Sequence, residues 1–169
     1  MARKPLTPAE QKQFIATVAP WAQAAAKLHG PPASVAIAQA ILESDWGRSH
    51  LSREAHNFFG IKTARANDLF IELPTKEVID GKTVEVRAKF RRFRSPKECF
   101  EWRAKWLATS KRYAKAMEHA DDGLVYAQRI AECGYATDPG YAKKLCELMT
   151  KHHLMDFDAK GAKKNGGPR

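Results

Sequence analysis

Between Leu69 and Phe93 the chain abandons the helical period that governs the rest of it. Val84, Val86, Ala88 and Phe90 alternate with Glu85, Arg87, Lys89 and Arg91, so an extended segment there has one apolar and one charged face. Asp80-Gly81 supplies the positive φ values of a tight hairpin turn. Together these predict that about Phe70 to Val78 pairs with about Thr83 to Phe93. A two-stranded ribbon is marginal by itself. Its chain must bury most of its apolar content in helices, and the ribbon must lean on them or stay mobile as a flap over a cleft. The fold class that follows is mainly α with a small β-hairpin lobe, an α+β arrangement.

The flanking segments carry helix punctuation. Thr7-Pro8-Ala9-Glu10 reads as a capping box with proline at the first helical position, so a helix should run from about Pro8 to Lys27 and stop at His29-Gly30-Pro31-Pro32. A second helix places Val35, Ala38, Ile41 and Leu42 inward and continues to about Trp46, where Gly47 stops it. Leu51 to Ala55 fits one short turn. Ser95-Pro96-Lys97-Glu98 opens a helix bearing Phe100, Trp102 and Trp106. Asp121 or Asp122 should cap a segment ending at Gly134, and Asp138-Pro139 should start a last helix through Leu145, Leu148 and Met149. With 169 residues, 44% of them hydrophobic, one domain over 1–158 is expected, followed by a basic, disordered tail over 159–169.

The second helix delivers the residue with the most chemical content. Glu43 ends a run of small and branched apolar side chains, surroundings that disfavour its charged form and suit it to donating a proton. Trp46 stands at i+3 from it, placed to give the carboxyl an apolar wall and a sugar ring a stacking surface. A proton donor in such a setting is what cleavage of a glycosidic bond requires. The competing reading is a helix that ends in Glu-Ser-Asp on its way back to solvent.

Charge narrows the partners. Lys and Arg number 29 against 19 Asp and Glu, a formal +10 with a sequence pI near 9.7, which favours a polyanion, whether nucleic acid, anionic lipid or lipopolysaccharide, or an acidic wall polymer. The start, Met1-Ala2-Arg3-Lys4-Pro5, has no apolar signal region, and no run reaches the roughly 20 apolar residues of a membrane span. Cytoplasmic synthesis without a signal peptide is expected, with action on the cell wall after release. Cys99, Cys133 and Cys146 are widely spaced and read as reduced thiols. The six histidines form no metal-ligand spacing, so neither metal nor cofactor is called for.

Three motifs in order, Ala-Ile-Leu-Glu-Ser-Asp-Trp-Gly (40–47), Asn-Phe-Phe-Gly-Ile-Lys (57–62) and Gly-Tyr-Ala-Thr-Asp-Pro-Gly-Tyr-Ala (134–142), resemble the peptidoglycan-cleaving glucosaminidases of glycoside hydrolase family 73 over about Leu6 to Leu154. The resemblance implies a lysozyme-like helical core with a groove, and an endo-acting β-N-acetylglucosaminidase; the start without an apolar signal region fits a phage or prophage endolysin, and a monomer is expected. Its partner would be the peptidoglycan glycan strand, with no nucleic acid involved. It makes Glu43 the general acid and puts a second acid on the hairpin, most naturally Glu77, with Glu72, Asp80 and Glu85 as rivals. Tyr135 would face the cleft as a third catalytic group, and Trp46, Asn57, Phe58, Phe59 and Tyr141 would bind substrate. Phe58 and Phe59 equally suit pinning the hairpin to the core. A lytic transglycosylase or muramidase acting on the same polymer, and a non-catalytic basic wall- or nucleic-acid-binding module, are the alternatives.

Overall fold

At the centre of the molecule lies a helix with almost no polar face. The computed structural model describes residues 3–159, and in it every residue from Ala33 to Ile41 is buried. A helix apolar all round must be surrounded. This helix, α2 (Ala33–Ser44), is packed by α1 (Pro8–His29), α6 (Gly123–Glu132) and α7 (Tyr141–Lys151). Helix α3 (His50–Ala55) leads to the ribbon β1 (Phe70–Ile79) and β2 (Lys82–Arg91), after which α4 (Pro96–Thr109) packs along α1. A 3-10 turn (Lys111–Tyr113), the single turn α5 (Ala114–Met117) and a closing 3-10 turn (Leu154–Phe157) complete the chain.

The sequence punctuation acts as expected at most ends. Thr7 and Glu10 form the reciprocal capping box of α1, whose buried side Ile15, Val18, Ala19, Ala22 and Ala25 keeps the helical period. Asp122 caps α6 through the amides of Leu124 and Val125. The last helix starts later than its Asp138-Pro139 signal: Asp138 instead accepts from Gly140 N in a turn, and α7 begins at Tyr141. Leu42, expected inward, is 37% exposed, because α2 is leaving the core at that point. Most of the basic tail, residues 160–169, lies outside the described residues.

Helix α2 ends at Ser44, two residues before the expected stop. Asp45, Trp46 and Gly47 take φ values of 50°, 58° and 73°, three successive left-handed residues that reverse the chain at once. Side chains hold this turn: Ser44 Oγ accepts from Gly47 N at 2.7 Å, and Asp45 accepts from Arg48 at 2.7 Å and from Arg3 at 3.0 Å. A side chain on Gly47 would press into the Phe14 ring, so glycine is required there on two counts.

The hairpin turns at Asp80-Gly81, with φ of 50° and 74°. Its register pairs Ile71 with Phe90, Leu73 with Ala88, Thr75 with Val86 and Glu77 with Val84. Glu77 therefore shares a face with the apolar side of β2, while Glu72 and Glu85 belong to the opposite, charged face, where Glu72 pairs with Arg87 at 2.8 Å. Asn57 ties the ribbon to the helices: its Nδ2 donates to the carbonyls of Ile61 and Arg91, both at 2.9 Å, and its Oδ1 accepts from Phe59 N and Ile61 N.

Candidate active site

Glu43 occupies the last turn of α2, where the helix emerges from the core. It faces a groove of about 590 Å³. The loop from Phe59 to Lys62 forms one wall, Trp102 and Trp106 of α4 a second, and Tyr135, Ala136 and Thr137 the third. The side chain is exposed to the solvent of this groove, and no basic residue pairs with it among the described residues. Yet the concave wall crowds the carboxyl, and that loss of solvation raises its pKa above the ordinary carboxylate value. Tyr141 Oη donates to Glu43 Oε1 at 3.1 Å, a smaller pull in the opposite direction.

Two tyrosines back the acid. Tyr141, buried at the start of α7, stacks on Tyr135 with ring centres 5.7 Å apart and planes 17° from parallel. Burial pushes both phenols well above their usual pKa, and the nearby Glu43 adds to this, so each serves as a neutral hydrogen-bonding group. Behind them the chain continues inward. Gln39 Nε2 donates to Tyr141 Oη at 2.9 Å, and the Arg103 guanidinium donates to Gln39 Oε1, its Nε at 2.7 Å. Arg103 is 1% exposed and lies over the Phe59 ring at 5.1 Å from its centre.

Across the groove, Trp102 and Trp106 stack with centres 5.9 Å apart and planes 18° from parallel, and the Arg91 guanidinium covers Trp102 at 5.0 Å. Such a pair offers a broad apolar shelf to the face of a sugar ring. Lys62 pairs with Glu77 of β1. Since Lys62 bridges to Phe90 and Phe90 pairs with Ile71, a flat ribbon would carry Glu77 about 20 Å beyond that point, out of reach of the lysine. The ribbon therefore curls back toward the loop that bears Lys62, as a strongly twisted two-stranded sheet can.

The structure thus brings Glu43, Tyr135, Tyr141 and Phe59 together and links Glu77 to the groove through Lys62. It does not bring Trp46 there. With Asp45 and Trp46 left-handed, the i+3 relation to Glu43 is lost, and the indole packs edge-on against Phe14 at 5.8 Å and His152 at 5.2 Å. Phe58 lies in the core between Phe14, Trp21 and Phe100. Asn57 is buried and used up by backbone bonds. Five residues of the site and its support escaped the sequence reading as functional groups: Gln39, Lys62, Trp102, Trp106 and Arg103.

The family described as "Glucosaminidase: Mannosyl-glycoprotein endo-beta-N-acetylglucosaminidase" matches residues 19–154, which takes in the Glu43 turn, the hairpin and both tyrosines. The chain belongs to this glucosaminidase family. Among its relatives, the peptidoglycan hydrolase FlgJ of Pseudomonas aeruginosa is 37% identical over 145 residues, covering 83% of this chain and 36% of that protein. The exo-glucosaminidase LytG of Bacillus subtilis is 35% identical over 154 residues, covering 88% of this chain and 54% of that one. The glucosaminidase chain therefore spans about a third to a half of the length of these curated relatives. The crystal structure of the catalytic domain of the autolysin Auto from Listeria monocytogenes superposes with a TM-score of 0.79 at 34% identity, over 94% of this chain and 93% of that domain.

Proposed function

We propose that this glucosaminidase domain hydrolyses the glycan strands of bacterial peptidoglycan, cutting within the strand on the reducing side of N-acetylglucosamine, with Glu43 as general acid. The observation that carries this reading is a carboxyl of raised pKa set in an aromatic-lined groove and hydrogen-bonded by a neutral phenol. The names of the relatives, a peptidoglycan hydrolase and an exo-glucosaminidase, support the polymer and the sugar. Trp102 and Trp106 stack the sugar, and Glu43 protonates the departing oxygen. Glu77, on the face that curls toward the groove, assists the water that attacks the opposite side of the ring. No helix among the described residues is long and apolar enough to cross a membrane, and the +10 charge favours contact with an anionic envelope.

One digestion tests this. Pure protein is incubated with peptidoglycan, the fragments are reduced with borohydride, and the reduced terminal sugar is identified. Reduced N-acetylglucosamine is expected, on fragments whose early size distribution is broad because cutting is internal. Reduced N-acetylmuramic acid, an anhydro-sugar end or no released end would each overturn the proposal, and single sugars alone would overturn its endo-acting part. Glu77→Gln should lower the rate by about tenfold to a hundredfold, less than loss of the general acid does. Lys62→Met removes the ion pair while keeping an unbranched stem in the groove wall, and should cost less than Glu77→Gln in the same assay. The reverse order would reduce Glu77 to a tether for the hairpin.

A further inference from the structure

An arginine can only donate hydrogen bonds, and this fixes the sense of every bond between Arg103 and the groove. Gln39 must turn its Oε1 to the guanidinium, which leaves its Nε2, also a donor, facing Tyr141. The phenol oxygen therefore accepts from Gln39, and its own hydrogen is directed to Glu43 Oε1, its acceptor among the described residues. An oxygen that accepts in this way does not carry the acid's proton. We propose that Arg103 and Gln39 are positioning residues that, acting through Tyr141, make Glu43 Oε1 the acceptor and Oε2 the oxygen that holds and delivers the catalytic proton.

This rests on the reading of Glu43 as general acid and adds which of its oxygens does the work. In the chemical step the Oε2–H bond breaks as the glycosidic oxygen takes the proton. The electron pair of the breaking C–O bond stays on that departing oxygen, and Glu43 is left as a carboxylate. The negative charge then meets a donor already aimed at it, polarised by the guanidinium two links behind, so no group has to turn during reaction. The other charged groups near Glu43 are already engaged. Asp45 on the same turn is held by Arg3 and Arg48, and Lys62 across the groove is held by Glu77. Tyr135, stacked on Tyr141, is neutral.

Gln39→Glu tests the proposal with almost no change of shape. A carboxylate at 39 accepts from Arg103 and from the Tyr141 hydroxyl at once, so the phenol hydrogen turns away from Glu43. The alkaline limb of the kcat/KM profile on purified peptidoglycan should then rise by about one unit, the size of shift expected when a charged form loses a hydrogen bond. A new negative charge could raise that limb directly, so the same substitution is also made in Tyr141→Phe. Through the phenol, Gln39→Glu should add no further shift there; an equal shift in both backgrounds would overturn the proposal. Arg103→Met with Gln39→Leu removes the array together with one positive charge; it should move the limb in the same direction, and by less when made in Tyr141→Phe. An unmoved limb in this folded variant, judged by circular dichroism, would also overturn the proposal. If wild type releases no sugar ends or Glu43→Gln remains active, the hydrolase reading fails; if those hold and the limbs stay fixed, only the positioning role fails.

Discussion

Glu43→Gln is expected to remove turnover of peptidoglycan, a loss of roughly 10² to 10⁴-fold, while the protein stays folded. The amide keeps the shape of the acid, and its oxygen can accept the same hydrogen from Tyr141 that Glu43 Oε1 accepts at 3.1 Å. What it lacks is a transferable proton. The native protein has a matching pH signature. Crowding at the groove wall raises the pKa of Glu43, so the folded chain holds a proton that the unfolded chain releases at the ordinary carboxylate value. Stability from this group is therefore lost as pH rises from that ordinary value through the raised one, and activity falls over its upper part as the acid ionises. Glu43→Gln should flatten this component of the stability profile, read by thermal melts across the acidic range. A variant that stays active, or one that melts as a partly unfolded species, would deny Glu43 the role of proton donor in a preformed site.

Much of this was legible in the chain because local chemistry decided it. The alternation through Val84–Phe90, the Asp80-Gly81 turn and the Thr7 and Asp122 caps act within a few residues, and each appears where the residues place it. Position on the far side of a turn was not legible. Whether Trp46 shares a face with Glu43 depends on two left-handed residues, Asp45 and Trp46 itself, which the Arg3 and Arg48 contacts help to hold. Aspartate is enriched in that conformation but adopts it in a minority of cases, and tryptophan does not announce it. Two signals were in the chain and unused. Gln39 is the lone polar side chain within the buried stretch from Val35 to Ile41, and Arg103 falls on the helical period of Phe100, Ala104 and Leu107, a charge at a core position. Each by itself is a costly oddity; only the long-range contact between α2 and α4 shows that they answer one another. Glu77 was singled out by its place in the motif order, and the register gives a physical reason to prefer it: of the hairpin glutamates, it alone shares the face of Val84, Val86 and Phe90.

Gln39→Leu should destabilise the fold by about 3–5 kcal/mol, the usual cost of leaving a buried charge without its partner. Arg103 is 1% exposed, and among the described residues no carboxylate lies within ion-pairing distance of it. Its charge is carried by the Gln39 carbonyl oxygen and by the face of Phe59 at 5.1 Å, with the Tyr135 hydroxyl also beside it. Leucine removes the first, the oxygen that takes both of the guanidinium's hydrogen bonds found among the described residues. For a chain of this length the loss corresponds to a fall in Tm on the order of 10 °C. The opposite result is expected from Arg103→Met combined with Gln39→Leu, since removing both polar partners leaves no orphaned charge and approximately conserves volume. That double variant should melt within a few degrees of the parent, and above Gln39→Leu alone. A single variant as stable as the parent would mean that the guanidinium reaches solvent or another acceptor, and the inward end of the Glu43 array would then rest on nothing fixed.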